Sequence, residues 1–159
     1  MPGYENSFAA WPFALAATII IATWCRYIFV MLRRKKEMRA MAMRLGLQQW
    51  PDDSIPRDLA LDTTAFKHWS KLFNVYEGIL NGHQVAVFDL RKKAGKSSYS
   101  RTILAVRSNE NLLNGTAFEL EKTQVDKWQL AYLPTGFLIR SQLMEVADIE
   151  ESLKFIECI

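Results

Sequence analysis

FAAWPFALAATIIIATWCRYIFVMLRRKK, residues 8–36, is the stretch that decides the architecture of this 159-residue chain. Of its first 25 residues, 8–32, 21 are apolar. As a helix they would extend about 37 Å, more than the roughly 30 Å hydrocarbon layer of a bilayer. A buried helix of a soluble domain seldom needs so long an apolar run followed directly by four basic residues. The pattern predicts a transmembrane helix over residues 8–32.

The charges on either side of residues 8–32 predict the orientation of this helix. Residues 1–7 carry one acid and no Lys or Arg, whereas Lys or Arg occupies six positions between residues 33 and 44. The positive flank of a span stays in the cytoplasm, and a cleaved signal peptide would carry its basic residues before the apolar run. We therefore expect an uncleaved, single-pass anchor in the cell (inner) membrane, with residues 1–7 outside and the C-terminal part in the cytoplasm. The cations predicted to lie at the membrane interface are Arg26, Arg33, Arg34, Lys35 and Lys36.

Arg26 is the one charged residue within the apolar run. It precedes Arg33 by seven positions, so its long side chain is predicted to snorkel to the cytoplasmic headgroups. The alternative is a functional charge inside the membrane, because an ionisable residue there is costly and is kept for a purpose.

The rest of the chain differs from the anchor in its charge. Residues 1–45 have a net charge of +5 and residues 46–159 one of −2, so the basic pI of about 8.9 belongs to the N-terminal segment. A slightly acidic domain with a single basic loop argues against a nucleic-acid partner. The chain has two cysteines, Cys25 within the span and Cys158 near the end. Neither is predicted to form a disulfide, in agreement with a reducing compartment.

Beyond the span, the spacing of apolar residues predicts that the helix continues as a basic juxtamembrane segment over residues 33–47. Three interpretations remain open for it: an interfacial helix on anionic lipid, a dimer-forming stalk, or a tether. Residues 48–65 combine two prolines with acids and predict a linker, which leaves residues 66–159 as the cytoplasmic domain. The apolar positions, spaced i, i+3, i+4 and i+7, are Met38, Met41, Ala42 and Leu45.

The remaining segments predict an α+β domain, with a small antiparallel sheet of five or six strands and a C-terminal helix. Asn81-Gly82 is a strong tight-turn signal between the apolar runs at 73–80 and 84–90, which predicts a hairpin. A third strand at 99–107 and a second hairpin from about residue 118 to 133 follow, then a short strand at 137–139. The last helix is predicted from about Ser141, which is a good N-cap. Its apolar stripe consists of Val146, Ile149, Leu153 and Ile156.

The predicted domain carries short packing and turn motifs: Phe73-Asn74-Val75, Leu80-Asn81-Gly82, Val85-x-Val87-Phe88-Asp89, Gly95-Lys96-Ser97 and Trp128-x-Leu130-x-Tyr132. Over residues 66–157 this pattern resembles a family of uncharacterised bacterial single-span membrane proteins. The resemblance implies a membrane-tethered cytoplasmic α+β domain and assigns no activity to it. Family members have a longer middle, whose Leu-Pro-x-Phe segment and insert are absent here between Val106 and Phe118. No functional residue is therefore carried over.

No catalytic residue, cofactor site or metal site is predicted. Gly95-Lys96-Ser97 lacks the glycine that a phosphate-binding loop requires five positions earlier, where Leu90 stands. His68 and His83 have no Cys or acid at ligand spacing beside them. Asp89 is expected to pair with a neighbouring arginine or to accept backbone hydrogen bonds. Since nothing combines a nucleophile with a base and an orienting group, the chain is predicted not to be an enzyme.

A basic loop over residues 92–98 is the candidate anion or partner surface. Five cations around one hairpin could attract lipid headgroups or an acidic partner, and the alternative is a solvated turn. Strands closed by a C-terminal helix, with a basic hairpin loop, are similar in arrangement to pleckstrin-homology-like domains. The five cations are Arg91, Lys92, Lys93, Lys96 and Arg101.

Three hypotheses on function follow from these features. The first is a non-enzymatic membrane protein whose cytoplasmic domain serves binding or scaffolding, with the bilayer and a membrane or cytoplasmic protein as partners. The second makes the basic hairpin loop a reader of anionic lipid. The third is an enzyme with an unfamiliar site, which predicts a deep pocket with convergent polar groups.

Overall fold

The computed structural model describes residues 10–51, 71–94, 97–108, 121–125, 128–132 and 141–158. The α+β class is confirmed, and the chain divides into two compact units, residues 1–36 and 37–159. The elements in chain order are α1 (Ala10–Arg44), β1 (Gln48–Gln49), β2 (Lys71–Leu80), β3 (His83–Ala94), β4 (Ser97–Arg107), β5 (Glu121–Val125), β6 (Trp128–Tyr132), β7 (Ser141–Gln142) and α2 (Val146–Cys158).

The first unit contains the apolar part of α1, which is long and apolar enough to span a membrane: mean hydropathy reaches 1.9 over 18 residues, none of which is buried. Pro12 lies in the first turn of this helix, where its missing N–H removes no hydrogen bond. The hydroxyls of Thr18 and Thr23 donate to the carbonyls of Ala14 and Ile19 at 2.8 and 2.7 Å. The two polar side chains are thereby satisfied within the helix, as an apolar environment requires.

The second unit is built on a sheet with the strand order β1-β2-β3-β4-β6-β5, in which neighbours are antiparallel, while β7 runs parallel beside β4. The predicted first hairpin is confirmed: Asn81 and Gly82 have φ of 47° and 79°, the left-handed pair that a tight hairpin turn needs. The second hairpin is formed by β5 and β6. The predicted strand at 137–139 lies outside the described residues.

Two local predictions about strand and helix ends are wrong. The basic loop is shorter than residues 92–98, because β3 and β4 stay paired out to Ala94 and Ser97. Charged side chains occur in the strands of a two-stranded ribbon as well as in its turn, so a run of charge does not mark where the turn begins. The last helix begins at Val146 and not near Ser141, since Ser141 and Gln142 pair with β4 instead.

A β-bulge interrupts the pairing of β2 with β3. Phe73 is opposite Asp89 and Tyr76 opposite Val87, so two residues of β2, Asn74 and Val75, face one residue of β3. Asn74 adopts a φ of 52°, a left-handed conformation that asparagine tolerates better than most residues. The bulge turns the Asn74 side chain into the interior.

One face of the sheet packs against both helices of the second unit. The last turns of α1 place Met38, Met41 and Ala42 in this core at 0–1% exposure, and α2 contributes Ile149, Leu153 and Ile156. The predicted stripe of the C-terminal helix is thus confirmed. The apolar stripe of the juxtamembrane segment lies in this core, so it is not the lipid-facing or dimer-forming surface that the interfacial and stalk interpretations required, whereas the tether interpretation stays a prediction. Apolar periodicity indicates that a helix face will be buried, but not against what.

The opposite face of the sheet is buried as well. Burial on both sides explains why β3 reads as an almost continuous apolar run from Val85 to Leu90, without the alternation of a half-exposed strand. The buried residues of this second face are Val75, Ala86, Phe88, Leu90, Ile103, Ala105, Trp128 and Leu130.

The second unit begins earlier in the chain than the predicted domain. It starts at Glu37, within the segment predicted as juxtamembrane. Gln48 and Gln49, predicted as linker, pair with Glu77 and Tyr76 of β2. Gly78 allows the segment before β1 to approach β2 closely, since a Cβ on Gly78 would lie 2.7 Å from Leu47 Cδ2.

Candidate functional site

Arg91 and Arg101 are the two cations of the predicted anion surface whose side chains the structure describes, and they do not share a face of the hairpin. Arg101 pairs with Leu90 and Arg91 with Ser100, so these two arginines occupy adjacent register positions and opposite faces of the hairpin. Each lies over an aromatic ring, Arg91 at 5.8 Å from the Phe73 centroid and Arg101 at 4.8 Å from that of Tyr132. Lys92 and Lys93 belong to β3, with side chains outside the described residues, and Lys96 lies outside them entirely.

The predicted membrane-interface cations fall into two groups. The side chains of Arg26, Arg33, Lys35 and Lys36 are exposed, whereas Arg34 is only 9% exposed. Arg34 lies on the same face of α1 as Met38 and Met41, at i, i+4 and i+7. The sequence does not distinguish it from its neighbours, because all four consecutive cations have the same character.

Asp89 is the centre of a buried polar network. Its carboxylate accepts hydrogen bonds from Asn74 Nδ2 at 2.9 Å and from Thr102 Oγ1 at 2.7 Å. The Thr102 hydroxyl in turn accepts the backbone N–H of Met144 at 3.1 Å. The expected pairing of Asp89 with an arginine or with backbone groups stays a prediction beside these two side-chain hydrogen bonds. Since Asp89 and Thr102 have 0% exposure, the network joins the bulge, β3, β4 and the approach to α2 and offers no access to a substrate.

An open groove of about 720 Å³ lies at the edge of the sheet, on the face opposite the helices. Ile79, with 73% of its surface exposed, and the half-buried Trp50 both line this groove. The Gln84 amide donates to Glu77 and accepts from Arg107 Nη1 at 3.2 Å. The lining residues are Gly46, Gln48, Trp50, Glu77, Gly78, Ile79, Gly82 and Gln84.

Sequence reasoning missed this groove. The sequence places Trp50 in the predicted linker and Ile79 in an apolar run predicted as a strand. The one signal in the sequence is an isoleucine two residues before a tight turn, where strand ends reach solvent.

In the part of the chain that the structure describes, no group of three His, Cys, Asp or Glu side chains could hold a metal ion. His83 is half-buried at the start of β3, and His68 lies outside the described residues.

Comparisons with family models, with curated proteins and with solved structures return no match for this chain. The resemblance to bacterial single-span membrane proteins therefore stays a prediction.

Proposed function

We propose that this chain is a single-pass inner-membrane protein whose N-terminus lies outside and whose cytoplasmic α+β domain serves binding or scaffolding. The observation that carries the proposal is the apolar part of α1, which reaches a mean hydropathy of 1.9 over 18 residues and is exposed from Trp11 to Val30. A soluble fold would bury so apolar a surface, and a bilayer does so instead.

The charge distribution supports the orientation. Four consecutive cations, from Arg33 to Lys36, follow the apolar run, and no Lys or Arg precedes it. Short flanking segments rich in Lys and Arg stay in the cytoplasm.

The groove supports binding as the role of the domain. The groove combines an exposed isoleucine, a tryptophan and glutamine amides in its lining, and such a mixture of apolar and polar groups is typical of a protein interface. The buried position of Asp89 supports a structural role for the carboxylate that the sequence singles out.

Topology is tested by cysteine accessibility in intact cells. In a Cys25→Ser/Cys158→Ser background, a membrane-impermeant maleimide should label Glu5→Cys from outside. It should label Lys154→Cys, whose parent side chain is 60% exposed, only after permeabilisation. Labelling of Lys154→Cys in intact cells would contradict the orientation.

Binding through the groove is tested by photo-crosslinking in the membrane. A photoreactive residue at Ile79 should give one discrete adduct that Trp50→Ala abolishes. Met43 is the matched control, because it is equally exposed, at 73%, in the same unit. The same adduct from both positions, or none from Ile79, would count against the groove.

No specific observation favours either of the two alternative functions, the lipid-reading hairpin and the enzyme. The lipid-reading hairpin required its cations to act together, and Arg91 and Arg101 lie on opposite faces. The enzymatic alternative required a deep pocket with convergent polar groups, and it stays an untested prediction.

A further inference from the structure

Three cations of α1 lie along one side of the helix. Counted from Arg26, Arg33 and Lys36 follow at i+7 and i+10, which is about 20° and about 80° short of whole turns at 3.6 residues per turn. The helix is continuous from Ala10 to Arg44, so this phase is kept, and all three side chains are exposed. Arg34 lies on another side of the helix and is buried.

The lengths and directions of these three side chains determine how deep in the membrane their charged groups lie. Arg33 lies about 10.5 Å beyond Arg26 along the axis. Side chains in a helix lean towards its N-terminus, so Arg33 and Lys36 lean back towards the apolar segment. Arg26 extends against this lean, because its guanidinium is stabilised by leaving the hydrocarbon for the headgroups. The three charged groups can then reach a similar depth near the edge of the hydrocarbon layer.

We propose that Arg26, Arg33 and Lys36 form a binding site for the phosphate of an anionic phospholipid in the cytoplasmic leaflet. The site rests on the proposed function, because it requires α1 to span the bilayer. Guanidinium groups bind phosphate oxygens in bidentate fashion, and the low dielectric beside the hydrocarbon strengthens the pairing. Three clustered cations favour a lipid with net negative charge over a zwitterionic one, whose own cation would oppose them. The site also gives Arg26 a counter-charge that an isolated arginine in an apolar run would lack.

The test measures lipid selectivity of the full-length protein in phosphatidylcholine bilayers. Spin-labelled phosphatidylglycerol and spin-labelled phosphatidylcholine report the relative association constant of each lipid at the protein surface. We expect the wild type to prefer phosphatidylglycerol, and Arg26→Leu to lower that preference by up to about fivefold, the effect of one cation near an anionic surface. Arg33→Gln/Lys36→Gln should lower it at least as much.

The matched control is Lys35→Gln/Arg39→Gln, which removes two exposed cations that are turned by about 180° and about 140° from Arg26 around the same helix. It should change the preference less than about twofold. An equal loss in the two double variants would overturn the site in favour of a diffuse field of charge. Displacement of spin-labelled phosphatidylglycerol by inorganic phosphate would assign the site to a free anion and overturn the lipid as its ligand.

Failure of the lipid site and failure of the proposed function give different results. A wild type without preference for phosphatidylglycerol, but with the expected cysteine labelling, overturns the lipid site alone. A preserved preference with Lys154→Cys labelled in intact cells contradicts the orientation, and with it the assignment to the cytoplasmic leaflet.

Discussion

Thr102 links the two halves of the buried network, because its hydroxyl donates to Asp89 and accepts from the Met144 backbone. Thr102→Val keeps the shape of the side chain and removes both hydrogen bonds. We expect the free energy of unfolding to fall by about 1–3 kcal/mol, the cost of leaving buried polar groups without these bonds. Urea unfolding of the detergent-solubilised chain, followed by circular dichroism, measures the change.

Ser152 provides a control for Thr102. Its hydroxyl donates to the carbonyl of Asp148 at 2.9 Å, within the same helix. Ser152→Ala should cost less than about 1 kcal/mol, since the carbonyl keeps its place in the helix. A loss as large as that of Thr102→Val would show that the network has no special role.

Among the elements, the last turn of α1 is joined to α2 by charge. Arg44 binds the Glu150 carboxylate with two nitrogens, Nε at 3.2 Å from Oε1 and Nη2 on Oε2, and Lys154 Nζ lies 3.1 Å from Oε1. Hydrogen bonds from Arg44 first and Lys154 second lower the pKa of Glu150 from 4.5 to about 2. These contacts join the last turn of α1 to α2, the two helices that pack on the same core.

This lowered pKa makes part of the stability depend on pH. A carboxyl whose pKa is lower in the folded protein stabilises it above the unfolded pKa, and the contribution is lost as pH falls from about 4.5 towards 2. Glu150→Gln removes the titrating group, so the decline in unfolding free energy across this range should be shallower than in the wild type. Parallel curves for the two proteins in urea titrations would contradict the role of Glu150.

Two methionines of α1, Met41 and Met43, test whether this helix belongs to the domain core. Met41 is fully buried and Met43 is 73% exposed. Met41→Ala should lower the free energy of unfolding by about 2–5 kcal/mol through the cavity it leaves, whereas Met43→Ala should change it by less than about 0.5 kcal/mol. Similar losses in urea unfolding would argue against a core position for this turn.

At the scale of the whole molecule, the start of the compact unit predicts which fragment folds. Residues 37–159 keep the buried turns of α1, and a fragment of residues 46–159 loses Met38, Met41 and Ala42. We expect the longer fragment to unfold cooperatively in urea and the shorter one to lack a sharp transition. Equal cooperativity would mean that the core forms without the helix.

Features that depend on residues close together in the sequence were predicted correctly, whereas features that depend on distant residues were not. The Asn81-Gly82 turn and the stripe of α2 depend on neighbours in sequence, and both were predicted. The extent of β3 and β4 beyond the basic residues, and the pairing of Gln48, depend on partners distant in the chain. The same holds for the groove, whose lining comes from α1–β1 and from the β2–β3 hairpin.

The sequence by itself determined the apolar helix, the sign change in charge beyond it and the α+β class, because hydropathy, charge and turn chemistry are properties of residues near one another in the chain. Only the tertiary structure decided that the end of this helix completes the core, that Arg91 and Arg101 face apart, and that Arg34 is buried while its neighbours are exposed. Burial and register arise from contacts between distant segments. An apolar stripe or a run of cations is therefore compatible with several partners until the fold selects one.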